Sequence, residues 1–115
     1  MPKDDGLYLG HMLEMARKAT SKVAAKSRGA YDADEDLRIV IAHLVQTIGE
    51  AAGRVSERTR AAHPEIPWKQ IAGIRHRIVH DYLHVDYDVL WEVATRDLPA
   101  LIVQLERIAP LDDAR

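Results

Sequence analysis

Arg75, His80 and Tyr82 are the residues of this chain whose types and spacing could do chemistry. They stand in one run, Ile74-Arg75-His76-Arg77-Ile78-Val79-His80-Asp81-Tyr82. A guanidinium stays charged and can grip a phosphate through two parallel hydrogen bonds. An imidazole titrates near neutral pH and can take or give a proton. A tyrosine adds a hydroxyl and a stacking surface. On a regular helix Arg75 and Tyr82 would nearly share a face, while His80 would lie about 140° around from Arg75. The groups can converge, although the spacing alone does not force them to. Their natural joint task is cleavage of a phosphodiester by an internal nucleophile. RNA brings its own 2′-hydroxyl, a histidine can accept that proton, and an arginine can stabilise the charge growing on phosphorus.

Neighbouring residues could support this task. Arg77 and His76 are candidate phosphate or RNA contacts, and Glu50 is a candidate supporting partner for Arg75. Between Arg54 and His80 lie six basic residues (Arg54, Arg58, Arg60, Lys69, Arg75, Arg77) against Glu57 and Glu65, a local positive excess within a chain of net charge -2. Such an excess favours an anionic ligand, although solvated helix faces carry similar charge. His76, His80 and His84 recur every fourth residue, as helical metal ligands do. Asp81 is the only adjacent acid and no H-E-X-X-H pattern occurs, so neither a metal site nor a cofactor is expected.

The elements that must position these groups are helical. The chain has 115 residues, and 47% are hydrophobic, mostly Ala, Ile, Leu and Val, with aromatics at 5%. With 30% charged residues that mixture fits amphipathic helices better than a sandwich or barrel. The absence of cysteine excludes disulfides, Cys-based zinc sites and cysteine nucleophiles. No apolar run reaches the roughly 20 residues of a membrane span. The acidic start MPKDDGLYLG lacks a signal-peptide core, so a cytoplasmic protein without membrane contact is expected.

Asp4 or Asp5 can cap a first helix with Leu9, Met12, Leu13 and Ala16 on one face. Its basic last turns run to Arg28, and Gly29 marks a stop. Acids from Asp32 to Asp36 open a second helix with the stripe Leu37, Val40, Ile41, Leu44, Val45, Ile48, Ala51, Ala52 and Val55, ending before Pro64. Gly49 and Gly53 allow close packing or a bend. Pro67 at the first helical position opens a third helix through Trp68, Ile71, Ile74, Ile78 and Val79, running down near Asp81 or Tyr82. Asp86 caps a fourth with Val89, Leu90 and Val93. Pro99 breaks or kinks it, and Thr95 or Asp97 recaps a last segment with Leu101, Ile102, Leu105 and Ile108. Trp68 and Trp91 fall on the apolar stripes, as core or dimer-interface residues do. The expected fold is a single all-α domain over residues 1–115, a four- to five-helix antiparallel up-down bundle.

The segment Arg75-X4-His80-X-Tyr82 resembles the R-X4-H-X-Y signature of the HEPN superfamily, and more narrowly the HepT toxins of HepT/MntA toxin–antitoxin modules. The likeness extends to Ile48-Gly49-Glu50-Ala51-Ala52, Pro64-Glu65-Ile66-Pro67-Trp68, Ile71-Ala72-Gly73-Ile74-Arg75, Val85-Asp86-Tyr87-Asp88-Val89-Leu90-Trp91 and Asp97-Leu98-Pro99, together spanning about residues 37–108. The resemblance implies a HEPN-like helical homodimer with two motifs in a shared cleft. It implies metal-independent endoribonuclease activity, with Arg75 on the scissile phosphate and His80 in proton transfer. It implies the toxin role of a type VII-like module, silenced when an MntA-like nucleotidyltransferase antitoxin transfers AMP to Tyr82. His76 stands where many members carry Asn. The alternative reading is a non-catalytic nucleotide-binding or docking subunit of a minimal nucleotidyltransferase.

Overall fold

The computed structural model describes residue 2 and residues 4–81 and 84–109. It is all-α apart from one small hairpin. Helix α1 spans Asp5–Ala24 and buries Leu9, Met12, Ala16, Ala19 and Val23, the three-four spacing of one helix face. Leu13 flanks that face and is half-buried. The Asp4 side chain makes no capping bond. Asp5 is buried instead, and accepts from Ser56 N at 2.9 Å, from Ser56 Oγ at 2.6 Å and from Thr59 Oγ1 at 2.5 Å. These bonds tie the start of α1 to the far end of the next long helix.

The first helix ends at Ala24, short of the stop expected at Gly29. Ser27 caps a new helix, α2 (Arg28–Ala33), by accepting from Ala30 N at 3.0 Å, and Gly29 lies inside it. Tyr31 of α2 is buried, donates to the Tyr87 carbonyl at 2.8 Å and packs its ring 4.8 Å from that of Trp91. Burial pushes its phenol up to about 12.

Asp34 caps α3 (Glu35–Arg54) by accepting from Leu37 N at 3.0 Å. Its buried stripe runs Ile41, Leu44, Val45, Ile48, Ala51 and Ala52. Val40, expected in that stripe, is 39% exposed beside Ile39 at 52%. The core line passes from Leu37 to Ile41 and leaves Val40 on the flank. Gly49 permits close packing: a Cβ there would stand 2.7 Å from Ile74 Cγ2 and 2.9 Å from the Ile71 carbonyl oxygen. Ser56 then caps the short helix α4 (Glu57–Ala62).

The expected third helix is divided. Pro67 precedes α5 (Trp68–Ala72), Gly73 interrupts, and α6 (Ile74–Ile78) follows. The chain then leaves the helix, forming strand β1 (Val79–Asp81), which pairs antiparallel with β2 (His84–Val85).

Asp86 caps α7 (Tyr87–Glu92) as expected, accepting from Val89 N at 3.0 Å. Pro99 does not break the following helix. A π-helical turn over Val93–Asp97 joins α7 to α8 (Leu98–Ile108), and the backbone stays right-handed helical through both junctions. Leu98 N–H donates to the Val93 carbonyl five residues back, so the wider turn shifts the bonding register where proline brings no donor. Neither Thr95 nor Asp97 recaps: Thr95 Oγ1 donates to the Trp91 carbonyl at 2.7 Å, and Asp97 holds Arg77. Helix α1 packs on both α3 and α8, and α5 and α6 lie on α3. One continuous apolar core results. Among the described residues no helix is long and apolar enough to cross a membrane.

Candidate functional site

Helix α6 has five residues, too few to persist alone. Burial of Ile74 and Ile78 holds it on the core, which turns Arg75, His76 and Arg77 outward. Arg75 Nη1 donates to Gln46 Oε1 on α3 at 3.0 Å. Arg77, two positions on, points elsewhere: its Nη1 lies 3.0 Å from Asp97 Oδ2 on the π turn. A helix turns about 200° over two residues, so the two side chains leave nearly opposite sides of α6. His76 is exposed and makes no hydrogen bond or ion pair among the described residues.

His80 lies on β1 rather than on a helix. Val79 pairs with Val85 and Asp81 with His84, so His80 is the extra residue of a β-bulge. Such bulges re-aim a side chain. Its Nε2 stands 3.2 Å from Asp86 Oδ2. Asp86 is itself clamped. Its backbone N–H donates to the Ile78 carbonyl at 2.6 Å, while its Oδ1 accepts from Val89 N. The bond from Val89 N–H holds the Asp86 carboxyl below the usual carboxylate range, with the His80 contact adding to the effect. His84 Nδ1 meets the Asp81 carboxylate at 2.8 and 2.9 Å. The three histidines therefore leave the one-face spacing of a metal-binding helix, because α6 ends at Ile78.

A shallow groove of about 370 Å³ separates α3 from the hairpin and the start of α7. Gln46, Glu50 and His43 line one wall, and Val85 and Tyr87 the other. Arg75 reaches the first wall through Gln46. His80 is held to the second through Asp86, the residue between Val85 and Tyr87. Neither motif side chain lines the groove itself: Arg75 bonds one of its lining residues, and His80 bonds the residue between two others. Glu50 lies in it, one turn from Gln46, but Arg75 bonds Gln46 rather than Glu50. Arg77 faces a separate groove of about 450 Å³, floored by Ile71, Ile74 and Leu101 and edged by Arg96 and Asp97. Tyr82 lies outside the described residues.

Sequence reasoning missed Gln46 and half of Asp86. A glutamine on a helix far upstream carries no chemical signal. Asp86 was legible as a cap, but its contact with His80 depends on a hairpin hidden behind an apparently continuous helix. Chemically, the motif offers an exposed cation bonded to Gln46 and an exposed imidazole with one nitrogen held by a carboxylate.

Comparison with known proteins gives this arrangement a family. The family model described as "Ribonuclease HepT-like" matches residues 12–108. A protein of Caldanaerobacter subterraneus subsp. tengcongensis named "Putative RNase TTE0752" is 31% identical over 101 residues, covering 88% of this chain and 90% of that one. The "Probable ribonuclease HepT" of Thermococcus cleftensis is 32% identical over 75 residues, covering 65% of this chain and 68% of its own. No solved structure matches the chain. With the family model spanning most of its length, this chain belongs to the HepT-like ribonuclease family.

Proposed function

We propose that the protein is a metal-independent endoribonuclease toxin whose active site is the groove between Arg75 and His80. What supports this reading is that, in a member of a ribonuclease family, Arg75 bonds the groove-lining Gln46 and His80 bonds Asp86, which stands between the groove-lining Val85 and Tyr87. Arg75 grips the scissile phosphate and stabilises its developing charge. His80 accepts the proton of the 2′-hydroxyl. The 2′-oxygen bonds to phosphorus, the bond from phosphorus to the 5′-oxygen breaks, and the leaving oxygen takes a proton from solvent. The products are a 2′,3′-cyclic phosphate and a free 5′-hydroxyl. His76, exposed beside Arg75, is a further RNA contact. Glu50 sets the charge of the groove wall.

In this reading two copies pair through the exposed flank of α3, where Ile39 borders the groove beside Val40, and the two grooves form one cleft. The protein acts in the cytoplasm as the toxin of a type VII-like pair. An MntA-like nucleotidyltransferase silences it by transferring AMP to Tyr82, two residues beyond His80. Bulky anionic groups there would repel RNA by volume and by charge.

The test is incubation of partner-free protein with total RNA and EDTA, beside His80→Ala. Cleavage by the wild type alone, leaving cyclic phosphate ends, is the expected result. No cleavage by unmodified protein of native mass would overturn the nuclease reading in favour of a nucleotide-binding or docking subunit. An added AMP mass on inactive protein would identify the silenced form.

A further inference from the structure

We infer that Asp86 is the positioning residue of His80: it fixes the imidazole as the Nε2–H tautomer and leaves Nδ1 as the base. This inference rests on the ribonuclease reading for its consequence, but not for its geometry. A neutral imidazole carries one proton, and the nitrogen facing an ionised carboxylate must be the one that bears it, because a carboxylate only accepts. Asp86 Oδ2 faces Nε2 at 3.2 Å. Among the described residues Nδ1 of His80 has no hydrogen-bond partner, and the side chain is 67% exposed. The lone pair that remains is therefore on Nδ1, on a solvent-exposed ring.

Two further bonds of Asp86, and the bulge that carries His80, make Asp86 a rigid holder rather than a passing neighbour. Its other oxygen is committed to the α7 cap, its backbone N–H to the Ile78 carbonyl, and His80 itself to a bulge that re-aims its ring. The same hairpin contains a built-in contrast. In His84 the carboxylate of Asp81 sits on Nδ1, so the opposite tautomer is favoured there.

The charged groups close to His80 are thus Asp86 at the start of α7 and the Asp81–His84 pair within the hairpin. The experiment is 15N NMR of the histidine ring nitrogens in the full chain at about pH 8, run alongside RNA cleavage. The proteins compared are the wild type, Asp86→Asn and Asp86→Ser. Asn and Ser both cap helices well, so α7 is retained. Asn can turn its N–H toward Nε2 and favour the wrong tautomer, and Ser is too short to reach the ring.

In the wild type His80 is expected as Nε2–H and His84 as Nδ1–H. In Asp86→Asn the Nδ1–H form of His80 is expected to gain population while His84 stays unchanged. Cleavage should fall by about tenfold or more in both variants at unchanged Tm. An unchanged His80 tautomer in both variants, or full cleavage by both, would overturn the inference. A tautomer response without any wild-type cleavage would uphold the pairing and strike the nuclease reading alone.

Discussion

Arg75 keeps one guanidinium nitrogen on Gln46, and its side chain is otherwise exposed. That arrangement suits a group that must hold a phosphate while staying oriented. Lysine at this position would keep the charge but lose the planar fork and the fixed orientation. Arg75→Lys is therefore expected to lower kcat by about a hundredfold, the scale of removing one preorganised donor from a developing anion. Tm should not move, because the side chain is exposed. Wild-type turnover in that variant would show that the guanidinium is not what the reaction uses. Gln46→Leu should produce a smaller loss in the same assay, since it frees Arg75 without removing it. At this scale the sequence was informative about reactive groups and silent about their holders. Arg75 and His80 carry their chemistry in their side chains, whereas Gln46 matters only because α3 passes beneath α6. Arg77 shows that residue type does not give direction. It was a plausible phosphate contact by type, and helical geometry turns it to Asp97 instead.

The short elements around the motif depend on close contact with α3. Gly49 is where that contact is tightest, and one of its neighbours is the Ile71 carbonyl of α5, a backbone atom with little freedom to yield. Gly49→Ala is expected to destabilise the protein by about 1–3 kcal/mol, as overpacking of a filled core does. It should also reduce cleavage, because α5 and α6 must lift together and carry Arg75 with them. Gly53→Ala is the control. Among the described residues nothing stands within 4 Å of its added carbon, and alanine gains up to about 1 kcal/mol in a helix. Equal melting temperatures for the two variants would remove the packing argument. The long helices were legible because their apolar spacing extends over many turns, as in α1 and the buried stripe of α3. The hairpin was not legible. Val79-His80-Asp81 continues the apolar pattern of α6 closely enough to read as a fraying helix, and two- or three-residue strands exist only through their partner. The π turn was hidden for a related reason: proline was read as a breaker, while the fold absorbs it by widening one turn.

Across the whole molecule, two surfaces respond to charge in opposite ways. Inside, the Asp5 carboxylate joins α1 to α4. Burial pushes its proton affinity up, but the hydrogen bonds from Ser56 and Thr59 more than offset this, and the carboxyl lies below its ordinary value of 3.8. A carboxyl that binds its proton more weakly when folded stabilises the fold above that ordinary value. The contribution is lost as pH falls through the lower folded value. Asp5→Asn should therefore lower Tm at pH 7, on the scale of about 1–3 kcal/mol for bonds to a charged acceptor. The gap from wild type should narrow on acidification below about pH 3.8. A gap independent of pH would mean that shape rather than charge is lost. Outside, the flank of α3 carries Ile39 at 52% and Val40 at 39% exposure beside the proposed active groove. Isolated exposed apolar residues are common, but two adjacent ones, with Ile39 bordering the proposed active groove, fit a seam between copies. A charge placed there would be harmless to a monomer and severe for a pair that must bury it. Ile39→Asp is expected to keep the melting temperature of the single chain in dilute solution. It should shift sedimentation from dimer to monomer at micromolar concentration and reduce cleavage in step with the loss of dimer. If the variant sediments as the wild type does, the copies do not meet on α3. If it becomes monomeric yet cleaves RNA fully, one groove with one Arg75 and one His80 is a complete active site.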